Sequence, residues 1–463
     1  MNAPAEPRPI DTIAAHLARV RFEDIDRPTI ELAKRRVLDV VGCAFGGANI
    51  DGNLELLELL RTWGGAPQAT VLGHGGRMPA HQAAFLNAIM ARSNDLEVMT
   101  FIHEGVRVPA HNAGSTVVTA LALAEANRLS GRDLLTALVL GDDLVARVSL
   151  ASNWSFSQGF DGIGSLIPWG TTAIAGRLLG LTERQQIHAF GLMINMMGGT
   201  VQDYWDGVHA FKLVQGTPAQ QGILAAELAK RGWTGNYDPL FADYGYFKLY
   251  AEGAKDPGIL TKGLGEAYFG EAVFKHFPSG LPTHTPIACA LKLYQEHGVR
   301  PEDIESVEIA VTEQSMTNYY AKPFRLREWP HGDAAFSYQY TTCTALLRGD
   351  FFIEDMREEV ITSQPVLDLI ARSKVVPMQS EHRYGSEVTV RLKDGRVERE
   401  FLGAMPGDPL TDMATDEFII DKFRRQVAFN GTLREDRVEE LIERVLRLDE
   451  IEDIGEITAL AVA

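Results

Sequence analysis

Apolar residues recur at helical spacing through roughly the first 270 positions of the chain. Ile30, Ala33, Val37, Val40 and Val41 fall on one face of a helix. Ser130, with Asp133 behind it, reads as an N-cap with an acidic first turn. A stripe of Leu134, Ala137, Leu138, Gly141, Leu144, Val145 and Val148 follows it. Thr182 and Gln185 have capping-box spacing ahead of Ile187, Phe190, Leu192 and Ile194. Small residues crowd several stripes, as in Ala88–Ser93 and Thr171–Gly180, and predict closely packed helices. No internal repeat of about 20–50 residues is evident.

The period changes after about residue 270. Ser306–Thr312 alternates, with Val307, Ile309 and Val311 on one side, and reads as a strand. Val388, Val390 and Leu392 alternate, Asp394-Gly395 follows, and Val397 and Phe401 resume the alternation. This predicts a hairpin with a two-residue Asp-Gly loop. The tail returns to helical spacing over Glu417–Val427 and Arg434–Leu448, and is expected to pack back on the first part. The fold class is therefore mainly α. A large helical domain spans 1–270 and is completed by 408–463, with a smaller α+β domain over 271–407.

With 463 residues and 45% hydrophobic content, the chain can bury a large core. Its net charge of -18 argues against nucleic acid and anionic membranes as partners. An anionic substrate would need a local gathering of Lys, Arg and His. Cys43, Cys289 and Cys343 lie far apart, which predicts no disulfide framework and no cysteine-held iron–sulfur cluster. No signal-like N-terminus and no long apolar run occurs, so a cytoplasmic protein is expected.

Several chemistries lack their motifs. There is no G-x-G-x-x-G or Walker A string, no H-E-x-x-H or Cys/His ligand cluster, and no G-x-S-x-G elbow. No cofactor and no metal is therefore expected. Polar residues in apolar or glycine-rich surroundings remain. Asp95 and Glu97 follow the apolar stretch Ala83–Ala91, and a long loop leads from them to His111. Read blandly, Asp95 is a helix cap and His111 a buried, hydrogen-bonded histidine. Lys212 stands close to a helix start, where a cation opposes the dipole. It suits either a carboxylate site or a snorkelling side chain. Lys275, His276 and His284 flank Pro278 and Gly280 at the change of texture, as a rigid cationic turn or an ordinary connector. Tyr338 and Tyr340 open another helix, where tyrosines commonly serve the core.

Together and in order, these pieces resemble the MmgE/PrpD family over nearly the whole chain. The markers are Ala33–Asp39, Asn87-Ala88 leading to Asp95, Ser130–Leu135, Lys212–Gly216 with Ala225-Ala226, Phe274-Lys275 to Pro278, Phe336-Ser337 to Tyr340, Gly407–Thr411 and Lys422-Phe423. The resemblance implies an all-helical domain, a lid-like α+β domain, substrate held between them, and a homodimer. It implies site roles for Asp95, His111, Lys212, Lys275 and Tyr340, and a recurring histidine at His284. The chain departs from the family pattern at two positions. Asp161, after Gly159-Phe160, stands where many members carry histidine, and Gly280 stands where decarboxylases of the family carry one. Both changes remove positive charge. They disfavour a decarboxylase and a tricarboxylate substrate, and leave Asp161 free to meet an amine.

The resemblance implies a cofactor-independent enzyme that abstracts a proton beside a carboxylate. His111 would be the acid/base and Asp95 its partner. Lys212 and Lys275 would clamp carboxylates and stabilise developing charge, and Tyr340 would serve as proton donor. Asp161 and His284 would bind substrate. The leading expectation is a lyase, a hydro-lyase similar to 2-methylcitrate dehydratase, acting on a small hydroxy-carboxylate. The alternative is an isomerase similar to iminodisuccinate epimerase, and a non-catalytic carboxylate-binding protein stands behind both.

Overall fold

Asp26 caps the helix Arg27–Gly47 by accepting from the Thr29 backbone at 3.0 Å, with Pro28 in the first turn. Its C-terminal half is glycine-rich for a packing reason. A Cβ on Gly42 would lie 2.9 Å from the Gln426 side chain, and one on Gly47 would lie 1.9 Å from the Met90 carbonyl oxygen. Gly42 thus admits the tail helix Asp416–Asn430, and Gly47 admits the helix Ala80–Arg92. Gly141 and Gly170 do the same where Gly131–Ala151 meets Ile167–Leu178. The small-residue stripes are the contact seams of the array. The N-cap at Ser130 and the capping box at Thr182 form as their spacing predicts, and at Ser130 the Asp133 side chain closes a box as well.

The computed structural model describes residues 7–153, 161 and 164–462. Apolar side chains gather in two main cores. The larger is built by the helices before about residue 270 together with the tail, through Ile419, Phe423, Val427, Leu441 and Val445. The second is built by residues between Phe277 and Leu392, joined by Phe211. Helices dominate, and among the described residues none is long and apolar enough to cross a membrane. The three cysteines are buried and free.

The helical part is not purely helical. It carries β1 (Ala69–Thr70) paired with β2 (Arg77–Met78), and β3 (Met99–His103) between β4 (Val106–Val108) and β5 (Ala272–Val273). The stretch expected as a long loop is thus a hairpin, turning at Glu104 and Gly105 with φ of 47° and 77°. Such short strands leave too little alternation to read from sequence.

The second core packs under a four-stranded sheet formed by β6 (Ile304–Thr312), β7 (Ser373–Met378), β8 (Ser386–Leu392) and β9 (Val397–Leu402), in the order β7-β6-β8-β9. β6 runs parallel to β7 and antiparallel to β8. The hairpin between β8 and β9 differs from expectation by one residue. Leu392 and Arg396 still pair, so Lys393, Asp394 and Gly395 make the loop, with Gly395 at φ 92°. This is the longer hairpin that closes with a left-handed glycine.

Candidate active site

The helix Ala80–Arg92 ends in a turn over Ser93, Asn94 and Asp95, and that turn is tied down on every side. Ser93 Oγ donates to the Ile89 carbonyl at 2.8 Å, and Asn94 Nδ2 donates to the Gly46 carbonyl at 3.0 Å. Buried Lys422, from the tail, donates to Asp39 Oδ1 at 2.6 Å and to the Leu96 carbonyl at 2.7 Å. Asp39 Oδ2 in turn accepts from the Val98 backbone at 2.8 Å. The tail therefore fixes the segment that carries Asp95 and Glu97. Asp95 and Thr100 both sit at positive φ, 46° and 60°. Thr100 is β-branched, so its conformation is strained and is held by surrounding contacts such as Thr100 N donating to the Ala110 carbonyl at 2.7 Å.

His111 follows the β3–β4 hairpin and precedes the helix Ala113–Asn127. Its carbonyl accepts from Gln215 Nε2, and the neighbouring Asn112 donates to buried Asp142 at 2.6 Å. The imidazole Nε2 lies 2.9 Å from Glu97 Oε1 and 3.9 Å from Asp95 Oδ1. Two cations balance the carboxylates. Arg92 pairs with Asp95 and lies 3.3 Å from Glu97, and Lys275 Nζ donates to Asp95 Oδ1 at 2.6 Å and also to the Asp95 carbonyl. All of these side chains are buried.

Burial opposes every charge in this cluster, and the partners decide which charges persist. For Glu97, burial pushes the carboxyl up, but His111, Arg92 and Lys275 outweigh it and hold the group below the usual carboxylate range. For Arg92, Asp95 and Glu97 outweigh burial and keep the guanidinium charged. For Lys275, burial exceeds the attraction of Asp95 and Glu97, and its pKa lies below that of an ordinary lysine.

Arg92, Asp95 and His111 line a cavity of about 220 Å³ between the two cores. Tyr204, Tyr319, Tyr320 and Tyr384 line it too, with Asp161, Arg107 and Arg383. Tyr204 stacks on Tyr319 at 5.7 Å, and Tyr319 donates to the Tyr320 hydroxyl at 3.2 Å. Burial raises the pKa of Tyr204, Tyr319 and Tyr320, so these phenols remain neutral proton donors. Tyr320 fills the space above Gly280, where a Cβ would lie 2.0 Å from its hydroxyl oxygen. The absent side chain at 280 is thus replaced by a phenol from another segment.

The candidate residues divide into those the structure brings together and those it does not. Asp95, His111 and Asp161 line the cavity. Lys275 stands directly behind Asp95. Asp161 does not offer a free carboxylate: Tyr204 donates to Oδ2 and the Gly164 backbone to Oδ1, each at 3.0 Å. Gly159 and Phe160 lie outside the described residues. His284 is fully buried against Phe277, and burial beside Lys275 and His276 drives its pKa well down, so it is a neutral packing group behind the cluster. Lys212 lies outside the cavity wall. It donates to the Asp51 carbonyl at 2.7 Å and to Asn53 at 3.2 Å, over the Trp329 ring. Burial lowers its pKa to about 7. Tyr340 is also outside: its hydroxyl donates to the Asp355 carbonyl inside the second core. The residue order suggested these two positions, but side-chain direction takes both away from the cavity.

Sequence reading missed the cationic wall of Arg92, Arg107 and Arg383, the tyrosines and the pairing of Glu97 with His111. Tyr319 and Tyr320 sit in an irregular segment with no periodic signal, and the arginines come from distant segments. Glu97 was visible beside Asp95 but gave no sign that it meets His111. Asp95, Glu97 and His111 also present ligand atoms within 4.8 Å of one another, the donor set of a two-carboxylate, one-imidazole metal site. Both carboxylates already face Arg92 or Lys275. A divalent ion would have to displace those cations, so the donor set fits a metal poorly.

Residues 11–257 match the model of the MmgE/PrpD N-terminal domain, and residues 277–448 match that of the MmgE/PrpD C-terminal domain. Similar curated proteins include the cis-aconitate decarboxylase of Mus musculus, 25% identical over 97% of this chain and 92% of that protein. The Homo sapiens enzyme of the same name is 25% identical over 93% and 90%. That of Aspergillus terreus is 24% identical over 93% and 91%.

Proposed function

The chain belongs to the MmgE/PrpD family and is a lyase of it, and on that premise we propose that it makes or breaks a carbon–carbon double bond beside a carboxylate by proton transfer at His111, without a cofactor. The leading reaction is loss of water from a small hydroxy-carboxylate. The carrying observation is the His111 imidazole on the cavity wall, 2.9 Å from buried Glu97, in a wall that also holds neutral tyrosines and arginines.

In this reading substrate lies in the cavity with the carboxylate next to the reacting carbon toward Arg92. His111 takes the proton from that carbon, and the imidazolium formed is stabilised by Glu97 and Asp95. The electron pair develops as an enediolate-like charge, which Arg92 stabilises. It then forms the double bond as the hydroxyl on the next carbon leaves with a proton from Tyr319 or Tyr320, giving water. The tyrosine recovers its proton from solvent, and the imidazolium loses its own. Lys275 acts through Asp95 as a positioning residue.

Decarboxylation is the second reading, favoured by the names of the similar proteins. The lost charge at Asp161 and Gly280 weighs less against it than the sequence suggests, because Arg92, Arg107 and Arg383 line the cavity. Epimerisation of an amino acid finds less support, since Tyr204 and Gly164 already occupy the Asp161 carboxylate.

Proton NMR in D₂O with malate, citrate, 2-methylcitrate and cis-aconitate tests this. New vinyl signals from a hydroxy-acid indicate dehydration, and replacement of the cis-aconitate alkene signal by that of an unsaturated dicarboxylate indicates decarboxylation. Solvent deuterium at the reacting carbon without an alkene would refute the lyase chemistry proposed here. So would a His111→Gln variant with full turnover, because a placed acid/base contributes about 10²–10⁴ in rate.

A further inference from the structure

The cationic wall is not uniform. Arg92 pairs with Asp95, lies 3.3 Å from Glu97 and packs on the rings of Tyr204 and Phe211. Arg107 and Arg383 are different. Arg107 comes from β4 and its side chain is 15% exposed. One guanidinium nitrogen, Nη2, pairs with buried Asp408, whose other oxygen accepts from the Leu410 backbone at 3.1 Å. The other, Nη1, is buried without a hydrogen-bond partner among the described residues. Such an atom is costly unless something accepts from it. Arg383 comes from the exposed segment between β7 and β8 and lines the same cavity. Among the described residues it makes no ion pair. Its contact is with the Tyr384 ring, whose centroid lies 5.3 Å from Arg383 Cζ and 5.6 Å from Arg107 Cζ. Two guanidinium groups thus flank one ring, and only one has a carboxylate partner.

Like charges so placed repel. Burial lowers the pKa of Arg107, and the neighbouring Arg383 lowers it further. After Asp408 is counted, one positive charge is left over. A carboxylate between the two forks would satisfy Arg107 Nη1, neutralise Arg383 and relieve the repulsion. Arginine forks match carboxylate geometry with paired N–H donors.

We propose that Arg107 and Arg383 form a two-armed clamp for a second substrate carboxylate, remote from the carbon that reacts at His111. The clamp rests on the lyase reading above and assigns the residues that hold the remote carboxylate. Asp408 is a positioning residue that holds the Arg107 arm.

Calorimetric binding of unreactive probes tests the clamp without turnover. Tricarballylate carries the remote carboxylates, and butyrate lacks them. Wild-type protein is expected to bind tricarballylate at least about tenfold more tightly than butyrate. Arg383→Gln removes an exposed side chain, so the fold should survive. It is expected to lose about tenfold in tricarballylate affinity with butyrate affinity unchanged. Arg107→Lys keeps the charge toward Asp408 but loses the fork, and should fall between. Equal tricarballylate affinity in Arg383→Gln and wild type, or no preference for tricarballylate over butyrate in wild type, would overturn the proposal. Those results leave the role of His111 standing. Conversely, a fully active His111→Gln removes the lyase reading while the binding comparison still reads the clamp.

Discussion

Replacing Glu97 by glutamine tests how the acid/base at His111 is powered. The two side chains are nearly isosteric, so the change removes charge more than volume. Glu97 is fully buried, and its Oε1 lies 2.9 Å from His111 Nε2. At an effective dielectric of about 20, unit charges at that separation attract by about 6 kcal/mol. Desolvation offsets much of this, and breaking a buried charged contact costs about 2–5 kcal/mol in practice. In the wild type the charges of Asp95 and Glu97 balance those of Arg92 and Lys275. In the variant the cluster holds a surplus positive charge before His111 takes any proton. Forming the imidazolium then adds charge to an already cationic, buried site. We therefore expect kcat to fall by about 10²–10⁴. KM should change little, because Glu97 does not line the cavity. Steady-state kinetics on the substrate identified by NMR, with thermal melting as a fold control, measures this. A variant that is still folded at the assay temperature and keeps kcat within about threefold of wild type would refute the proposed stabilisation of the imidazolium. The same substitution makes a pH prediction. The carboxyl of Glu97 is held below its ordinary range, so its ionised form stabilises the fold above the unfolded pKa of about 4.3. The melting-temperature advantage of wild type over Glu97→Gln should hold from pH 7 to 5 and shrink as pH falls below about 4.3.

Three further outcomes follow from the same geometry. The Lys212 pKa of about 7 means that the folded state sheds a proton which the unfolded state keeps up to about pH 10.4. The stability of wild type relative to Lys212→Met should therefore rise between pH 7 and 9.5, by up to about 1.4 kcal/mol per pH unit in denaturant titrations; parallel curves would contradict the burial argument. Tyr340→Phe should cost about 1 kcal/mol of stability through the lost bond to the Asp355 carbonyl and leave kcat within about twofold, whereas Tyr319→Phe or Tyr320→Phe should cut kcat about tenfold or more; the reverse order would return Tyr340 to the chemistry. Gly280→Ala places a Cβ 2.0 Å from the Tyr320 hydroxyl, so it should destabilise by about 1–3 kcal/mol and lower activity. Adding Tyr320→Ala should recover much of the lost stability, and strict additivity in a double-mutant cycle would show that the two positions do not compete for space.

The sequence by itself determined features whose physics is local. The caps at Ser130 and Thr182 bond within one turn, so their spacing suffices to read them. The helical stripes, the helical spacing of the tail, and the alternation of β6, β8 and β9 follow from periodicity. The family resemblance rests on short runs of residues in order. It carries the lyase class, and it pointed to Asp95, His111 and Lys275, which do meet in space. Tertiary structure decided what depends on direction and distance between segments. Lys212 and Tyr340 have the right chemistry in the right order, but their side chains turn toward Asp51 and Asp355. Glu97 beside Asp95 reads as a second carboxylate, and only the fold brings His111 to it. The charge lining the cavity depends on the fold for the same reason. Sequence shows a charge lost at Asp161 and Gly280. Only folding places Arg92 and Arg107 beside the distant Arg383, around one cavity. Charge interactions fall with distance through space and take no account of separation along the chain.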